Sequence, residues 1–315
     1  MKVWILADDR AGNVNQLLGI AEALGAPYER KDIRYNKWIR LPNWLRGCTF
    51  IGLDSKYKKD LIHHFPNVVL SAGRRSFPIA RAVKRLSKGK TKIVQLMNPL
   101  NGAKDADLIV LPLHDNYKGK AKNVMQVLGT PHRITEARLK KEKEKWAKVL
   151  GKFPKPRVAL LVGGTTKGKE FTTEMGNALI RSVSALKPAS VITTTSRRTP
   201  KKIVELLQKK LPKNKFFYRF GDKTENPYFG LLAWADMIVV TGDSMSMCTE
   251  CCGTNKPVYI FAPEGMVSEK HARFHKALYE GGYAMDALKP GKMKPKYLNP
   301  APDIAQKIQM LVHFG

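Results

Sequence analysis

Residues 237–264 read MIVVTGDSMSMCTECCGTNKPVYIFAPE. The order is strand, tight turn, helix, turn, strand. Residues 237–240 are a short apolar run of the kind that forms a buried strand. Thr241, Gly242, Asp243 and Ser244 make the turn, and Met245 opens a helix that carries Met247, Cys248, Cys251 and Cys252, with Glu250 among them. Residues 253–256 end that helix, Pro257 follows, and residues 258–261 are the next strand. A glycine turn that opens a helix after a buried strand aims backbone N–H groups at one point. That point favours an anion, most often phosphate. In open α/β sheets this is the strand end where ligands gather. An ordinary βαβ unit without a ligand has the same pattern, so the stretch speaks for fold class before function.

The same alternation runs outward in both directions. Strands are expected at 3–7, 68–71, 93–97, 108–111, 158–162, 190–195 and 215–218. Helices are expected at 15–24, 78–86, 136–150, 173–186, 200–211, 226–234 and 302–314. Alternating strands and helices are the signature of parallel sheets with helices on both faces. GKFPKPR, residues 151–157, has two prolines and a glycine and reads as a linker between two such runs.

The chain has 315 residues, enough for two domains with cores of their own. Its hydrophobic content of 43% is that of a globular protein. No apolar run approaches the roughly 18 residues of a membrane span. The opening MKVWILADDR reads as a first strand, not a signal peptide. Four cysteines in a chain of this length make no disulfide framework, which implies a reducing cytoplasm. The net charge of +30 attracts polyanions: an acidic glycan, an anionic membrane face or nucleic acid. A general lysine bias would give the same number. No finger, RNP motif or other nucleic-acid module is present, so nucleic acid is not the expected partner.

NKWIRLPNWLR, residues 36–46, interleaves Trp38, Ile39, Leu41, Trp44 and Leu45 with Lys37, Arg40 and Arg46. Exposed, it would suit a membrane interface, with tryptophan at the headgroups and cations on anionic lipid. Packed under a loop, the rings would simply belong to the core.

Gly163-Gly164-Thr165-Thr166-Lys167-Gly168-Lys169 fits the first part of a P-loop, but the next residue is Glu170 where Ser or Thr must hold Mg²⁺. Thr172 also reads as the helix N-cap, too late for the helix to cradle phosphates, so an NTPase is not expected. Cys248-x-x-Cys251 with His271 and His275 has the ingredients of a zinc site without a standard spacing, and no metal is expected. Arg197 and Arg198 follow a strand directly, where arginine can pair with phosphate. Asp8, Asp9, His114 and Asp115 also follow strands, and any of them could act as a general base.

Together, ADDRAGNVNQ, SAGRRS, LLVGGTTKG, TTTSRRTP, NPY and TGDSMSMCTECCGTNKPVYIF resemble the mitochondrial fission, or elongated-mitochondria, family across nearly the whole chain. That family resembles GT-B glycosyltransferases, which implies an α/β protein of two Rossmann-like domains with a central cleft. Its plant members are described as helping to recruit a dynamin-like fission protein. That role is not carried over to a chain that reads as bacterial and cytoplasmic. The expected domains are 1–150 on the acceptor side, 157–298 on the nucleotide-sugar side, and a C-terminal helix at 299–315.

The second half is similar in layout to the peptidoglycan GlcNAc transferase. The resemblance implies a donor diphosphate near Gly163, Gly164 and Thr165, and near Thr241, Gly242, Asp243, Ser244 and Met245. It implies Glu250 on the ribose hydroxyls and Phe220 by the base. In the first half, Asp8-Asp9-Arg10-Ala11-Gly12-Asn13 stands where such transferases carry a glycine-rich turn with histidine. That leaves Asp8, Asp9 or His114 as the base. The resulting expectation is a metal-independent, cofactor-free transferase. It would take a nucleotide-sugar donor and an acidic or lipid-linked envelope glycan, peripherally on the inner face of the membrane. The alternative is a GT-B-like scaffold that binds a protein or membrane partner without chemistry.

Overall fold

The computed structural model describes residues 1–166 and 168–313. Lys167 of the P-loop-like run and Phe314 of the last expected helix lie outside the described residues. The chain forms two compact units, Met1–Arg133 with Pro300–Gly315, and Ile134–Asn299.

The first unit is built from β1 (Val3–Ala7), α1 (Ala11–Leu24), β2 (Tyr28–Asp32), α2 (Asn43–Arg46), β3 (Val68–Ala72), α3 (Gly73–Leu86), β4 (Lys92–Leu96), β5 (Leu108–Pro112) and β6 (Val124–Val127). Its strands are all parallel, in the order β2-β1-β3-β4-β5-β6. VWILA of β1 is buried on both faces, as a central parallel strand must be. Successive side chains of a strand point to opposite faces. Val3 and Ile5 therefore join one core with Leu17, Ile20 and Ala21 of α1, while Trp4 and Leu6 join another with Phe77 and Val83 of α3.

The second unit contains α4 (Glu136–Lys145), α5 (Ala147–Leu150), β7 (Arg157–Val162), α6 (Thr173–Ala185), β8 (Ser190–Thr195), α7 (Lys201–Lys210), β9 (Lys215–Tyr218), α8 (Tyr228–Trp234), β10 (Met237–Thr241), α9 (Met245–Cys252), β11 (Val258–Phe261), α10 (Glu269–Glu280) and β12 (Met285–Asp286). The sheet order is β12-β11-β10-β7-β8-β9, again all parallel. α11 (Ala301–His313) returns to the first unit, where Ile304, Ala305 and Ile308 share the core of α1.

The unit boundary falls at Arg133–Ile134, where the sequence pattern suggested residue 150. The reason is aromatic. Arg138 of α4 lies 4.4 Å over Phe229, and Trp234 Nε1 donates to the Lys143 carbonyl at 2.9 Å, so α4 packs on α8. In each sheet the chain winds outward on one side of its first strand and later returns on the other. The reversal falls between β1 and β3 in the first unit and between β7 and β10 in the second. These are the strand ends at which open α/β sheets bind ligands. Among the described residues, no helix is long and apolar enough to cross a membrane.

Candidate functional site

The reversal point of the second sheet is made by the loops after β7, β8 and β10. Gly163 and Gly164 are there because nothing larger fits. A Cβ on Gly163 would stand 2.0 Å from Asp243 Oδ1, and one on Gly164 would stand 2.0 Å from the Arg198 carbonyl oxygen. The Gly163 N–H donates to Thr241 Oγ1 at 2.7 Å, and that hydroxyl donates to Asp243 Oδ1 at 2.7 Å. The Gly164 N–H donates to Asp243 Oδ2 at 3.0 Å, and the Arg198 guanidinium reaches the same oxygen at 2.7 Å. The Asp243 side chain is fully buried. A buried carboxylate needs a counter-charge and full hydrogen bonding, and Arg198, Thr241 and Gly164 supply both.

The glycine N–H groups expected to face a ligand are thus turned toward Thr241 and Asp243, and Arg198 is held on Asp243. Thr165 N–H likewise donates to the Arg198 carbonyl at 3.2 Å. Ser244 caps α9 by accepting the Met247 N–H at 3.3 Å, so Met245 opens the helix as its first residue. Gly242 donates to the Phe261 carbonyl at 2.8 Å, and its own carbonyl contacts His275 Nε2 at 3.0 Å.

Arg197 and Phe220 flank two cavities of about 200 Å³ each. One is completed by Thr199, Val204, Gln208 and Arg219, the other by Val162, Asn226, Tyr228 and Met247. Phe220 is 51% exposed, and its N–H is fixed by Thr195 Oγ1 at 3.0 Å. An exposed ring and an exposed guanidinium at a strand end suit a flat base and an anionic group.

Glu250 lies on α9 facing α8, where the Tyr228 hydroxyl donates to it. Burial pushes its carboxyl up to about 7, against the opposing pull of the Tyr228 hydrogen bond and of Arg138. Tyr228 is itself raised well above the ordinary phenol range by burial and by the neighbouring Glu250.

In the first unit, Asp8 and Asp9 follow β1, and Arg75 from the first turn of α3 bridges them. Arg75 is 3.0 Å from Asp8 Oδ2, and it also holds Asp9 Oδ1. Asp8 further accepts the Arg10 N–H at 3.0 Å and Asn13 Nδ2 at 3.5 Å. The hydrogen bond from Arg75 lowers the Asp9 pKa. The Arg75 guanidinium lies 4.6 Å over the Tyr35 ring. His114 is buried after β5, with Nε2 3.8 Å from Asp115 Oδ1, two strands across the sheet from β3.

The sequence reading did not find Arg75 or Tyr228 as site residues, although SAGRRS and NPY were in view. The signal in SAGRRS was a helix opening with two arginines, the wrong charge for its dipole unless acids or anions stand opposite. Cys248, Cys251, His271 and His275 do not converge. Cys248 Sγ lies 3.9 Å from the Thr241 carbonyl, His271 is bonded to Ser268, and no group of three metal-binding side chains occurs among the described residues.

The fold has counterparts of known structure. A UDP-GlcNAc 2-epimerase from Methanocaldococcus jannaschii superposes with a TM-score of 0.56 at 15% identity, over 100% of both chains. The Neisseria meningitidis UDP-GlcNAc 2-epimerase gives 0.51 at 14%, also over 100% of both. The glycosyltransferase of kitacinnamycin gives 0.50 at 13%, over 99% of this chain and 94% of that one. At such identities the likeness is one of fold, the two-domain GT-B fold. In sequence, the chain is 27% identical to the Rickettsia prowazekii protein RP120, over 100% of this chain and 98% of that one. It is 29% identical to the Arabidopsis thaliana mitochondrial fission protein ELM1, over 72% of this chain and 57% of the plant protein. Residues 11–312 match the family described as Mitochondrial fission ELM1, and the chain belongs to that family.

Proposed function

We propose that this protein transfers a sugar from a nucleotide-activated donor to an acidic or lipid-linked glycan, without a metal ion. The observation that carries the reading is the pair of cavities around Arg197 and Phe220, beside the start of α9 at the ligand-binding edge of the second sheet. Solved proteins of this fold include UDP-GlcNAc 2-epimerases, one of them bound to UDP-GlcNAc, and a glycosyltransferase. In this reading Phe220 meets the base, Arg197 with the helix start at Ser244 and Met245 meets the diphosphate, and Glu250, bonded to Tyr228 of the cavity wall, would exchange that hydroxyl for those of the ribose. Gly163, Gly164 and Thr165 allow close approach. Thr241, Gly242, Asp243 and Arg198 hold the loops in place.

The acceptor hydroxyl oxygen attacks the anomeric carbon as the bond to the diphosphate breaks, and Arg197 neutralises the departing charge. The acceptor proton passes to Asp8, Asp9 or His114. Arg75 is the control on that step. While it holds Asp9, that carboxylate is a weaker base, its pKa lowered by the hydrogen bond from Arg75. An acidic acceptor would draw the guanidinium away and return basicity to Asp9. The exposed Trp38 and Trp44 would set the first unit on an anionic membrane face that supplies such an acceptor.

One observation favours the non-catalytic alternative. The Gly163 and Gly164 donors and the Arg198 guanidinium are satisfied by Thr241 and Asp243 in this structure.

The test is a thermal-shift screen against nucleoside diphosphates and nucleotide sugars. A ligand that binds only the folded state stabilises it by mass action. A nucleoside diphosphate is expected to raise the melting temperature, and Arg197→Ala or Phe220→Ala should remove most of the rise, since both side chains are exposed and carry no fold. With a binding nucleotide sugar, product analysis then separates transfer from epimerisation. No shift with any nucleotide at millimolar concentration would leave the scaffold reading.

A further inference from the structure

A cavity of about 340 Å³ lies in the first unit, and none of the donor or acceptor residues named above lines it. Its walls are apolar: Pro99, Leu100, Ala103, Ile109, Leu111 and Val124 among them. The volume falls in the range of roughly 300–1,000 Å³ for ligand pockets. Of its two amides, Asn123 has its Nδ2 donors engaged by the carbonyls of Ala103 at 3.1 Å and Ala106 at 2.9 Å. Asn98 and Tyr117 add polar atoms to the lining, but most of the wall is aliphatic, and a wall of that kind favours a hydrocarbon.

The mouth has the opposite character. Exposed Lys104 lines the cavity, and Lys118, Lys120 and Lys122 are exposed on the segment that contributes Tyr117 and Ala121 to the lining. Among the described residues no carboxylate stands in ion-pair reach of any of the four. Leu100 sits at the rim, 65% exposed, on the loop whose Pro99 carbonyl accepts from Asn43 Nδ2 at 3.1 Å. Asn43 begins α2, which carries the exposed Trp44 and Leu45. The mouth is therefore tied to the exposed tryptophan segment by a hydrogen bond.

We propose that this cavity binds the hydrocarbon chain of a single-chain anionic amphiphile, with the chain among Ile109, Leu111 and Val124 and the head group among the lysines of the rim. The site does not depend on sugar transfer in the second unit, and the two readings fail separately: this one in chain binding, the other in nucleotide binding.

The probe is a fluorescent eighteen-carbon fatty acid, titrated into the purified full chain, with a six-carbon acid and the eighteen-carbon alcohol as competitors. The long acid is expected to bind and the short acid not to displace it. Ala121→Trp, which fills the mouth from an exposed position, should weaken binding about tenfold or more by steric exclusion. Lys104→Glu should weaken the acid about threefold while leaving the alcohol unchanged, as expected of one exposed charge. Circular dichroism and the melting temperature without ligand report whether each variant is folded. The proposal is overturned if the wild type binds no long chain, or if folded Ala121→Trp binds as the wild type does. Should Ala121→Trp unfold, equal loss of acid and alcohol in Lys104→Glu overturns it instead.

Discussion

Burial decides what Glu250 is at neutral pH. Its carboxyl, raised to about 7 from the usual 4.5, is largely protonated in the folded protein over a range where the unfolded chain carries it ionised. The folded state therefore binds the extra proton, and this group's contribution to stability falls as pH rises from about 4.5 to about 7. Above that window the cost of the buried charge is fully present. Glu250→Gln keeps the shape and an acceptor for Tyr228 but cannot ionise. Urea denaturation across pH 5 to 8 should show a smaller loss of stability for the variant than for the wild type. Parallel curves would mean that the carboxylate is solvated in the folded state. That α9 carries a glutamate was plain from the sequence. That its partner is the Tyr228 hydroxyl was not, because the two are 22 residues apart and meet only when α8 packs on α9. Gly163 and Gly164 teach the same lesson. Their presence was legible, but their cause, the side chain of Asp243 and the backbone of Arg198, lies in other loops.

At the scale of elements, α3 shows why local patterns misplace a boundary. Proline is tolerated in the first turn of a helix and disrupts the interior, so Pro78 reads as a helix start. The helix instead begins at Gly73, five residues earlier. Proline at 78 cannot donate to the carbonyl of residue 74, and Asn43 Nδ2 does so in its place at 2.8 Å. Arg46 NH2 adds a bond to the next carbonyl, that of Arg75, at 2.9 Å. The short α2 thus repairs the backbone of α3 and fixes the turn from which Arg75 reaches Asp8 and Asp9. The sequence gives no local sign of this, since the donors lie about thirty residues away. Asn43→Ala would leave the Arg74 carbonyl without its donor, while the Pro99 carbonyl keeps the Asn101 N–H at 3.0 Å. The expected loss of stability is about 1–3 kcal/mol, the cost of a buried polar group left unsatisfied. Chemical denaturation measures it, and a variant as stable as the wild type would show that water replaces the amide. The long βα units around these details were legible because strands buried on both faces are continuous apolar runs.

For the whole molecule the governing number is the net charge of +30, and the question is what it faces. Charge alone does not answer it, because lysines spread over a surface also arise from general composition. The tryptophans decide more. From the sequence, Trp38 and Trp44 could be core or surface. In the structure they are 54% and 68% exposed, Lys37 Nζ lies 5.6 Å from the Trp38 ring, and Arg40, Leu45, Ile51, Lys56, Lys58 and Lys59 of the same stretch of chain are exposed as well. Rings that sit at headgroup depth and cations that meet lipid phosphates then act on one surface. Each cation near an anionic membrane contributes about 1 kcal/mol within a Debye length of roughly 8–10 Å. Sedimentation with liposomes should show binding to vesicles rich in anionic lipid, weak binding to neutral ones, and release at high salt. Trp38→Ala with Trp44→Ala should weaken binding while the melting temperature and any nucleotide-induced shift persist, because neither ring supports the core. Equal binding to neutral and anionic vesicles would remove the electrostatic half of the argument. Binding unchanged in the double variant would remove the aromatic half and move the contact to another basic face of the chain.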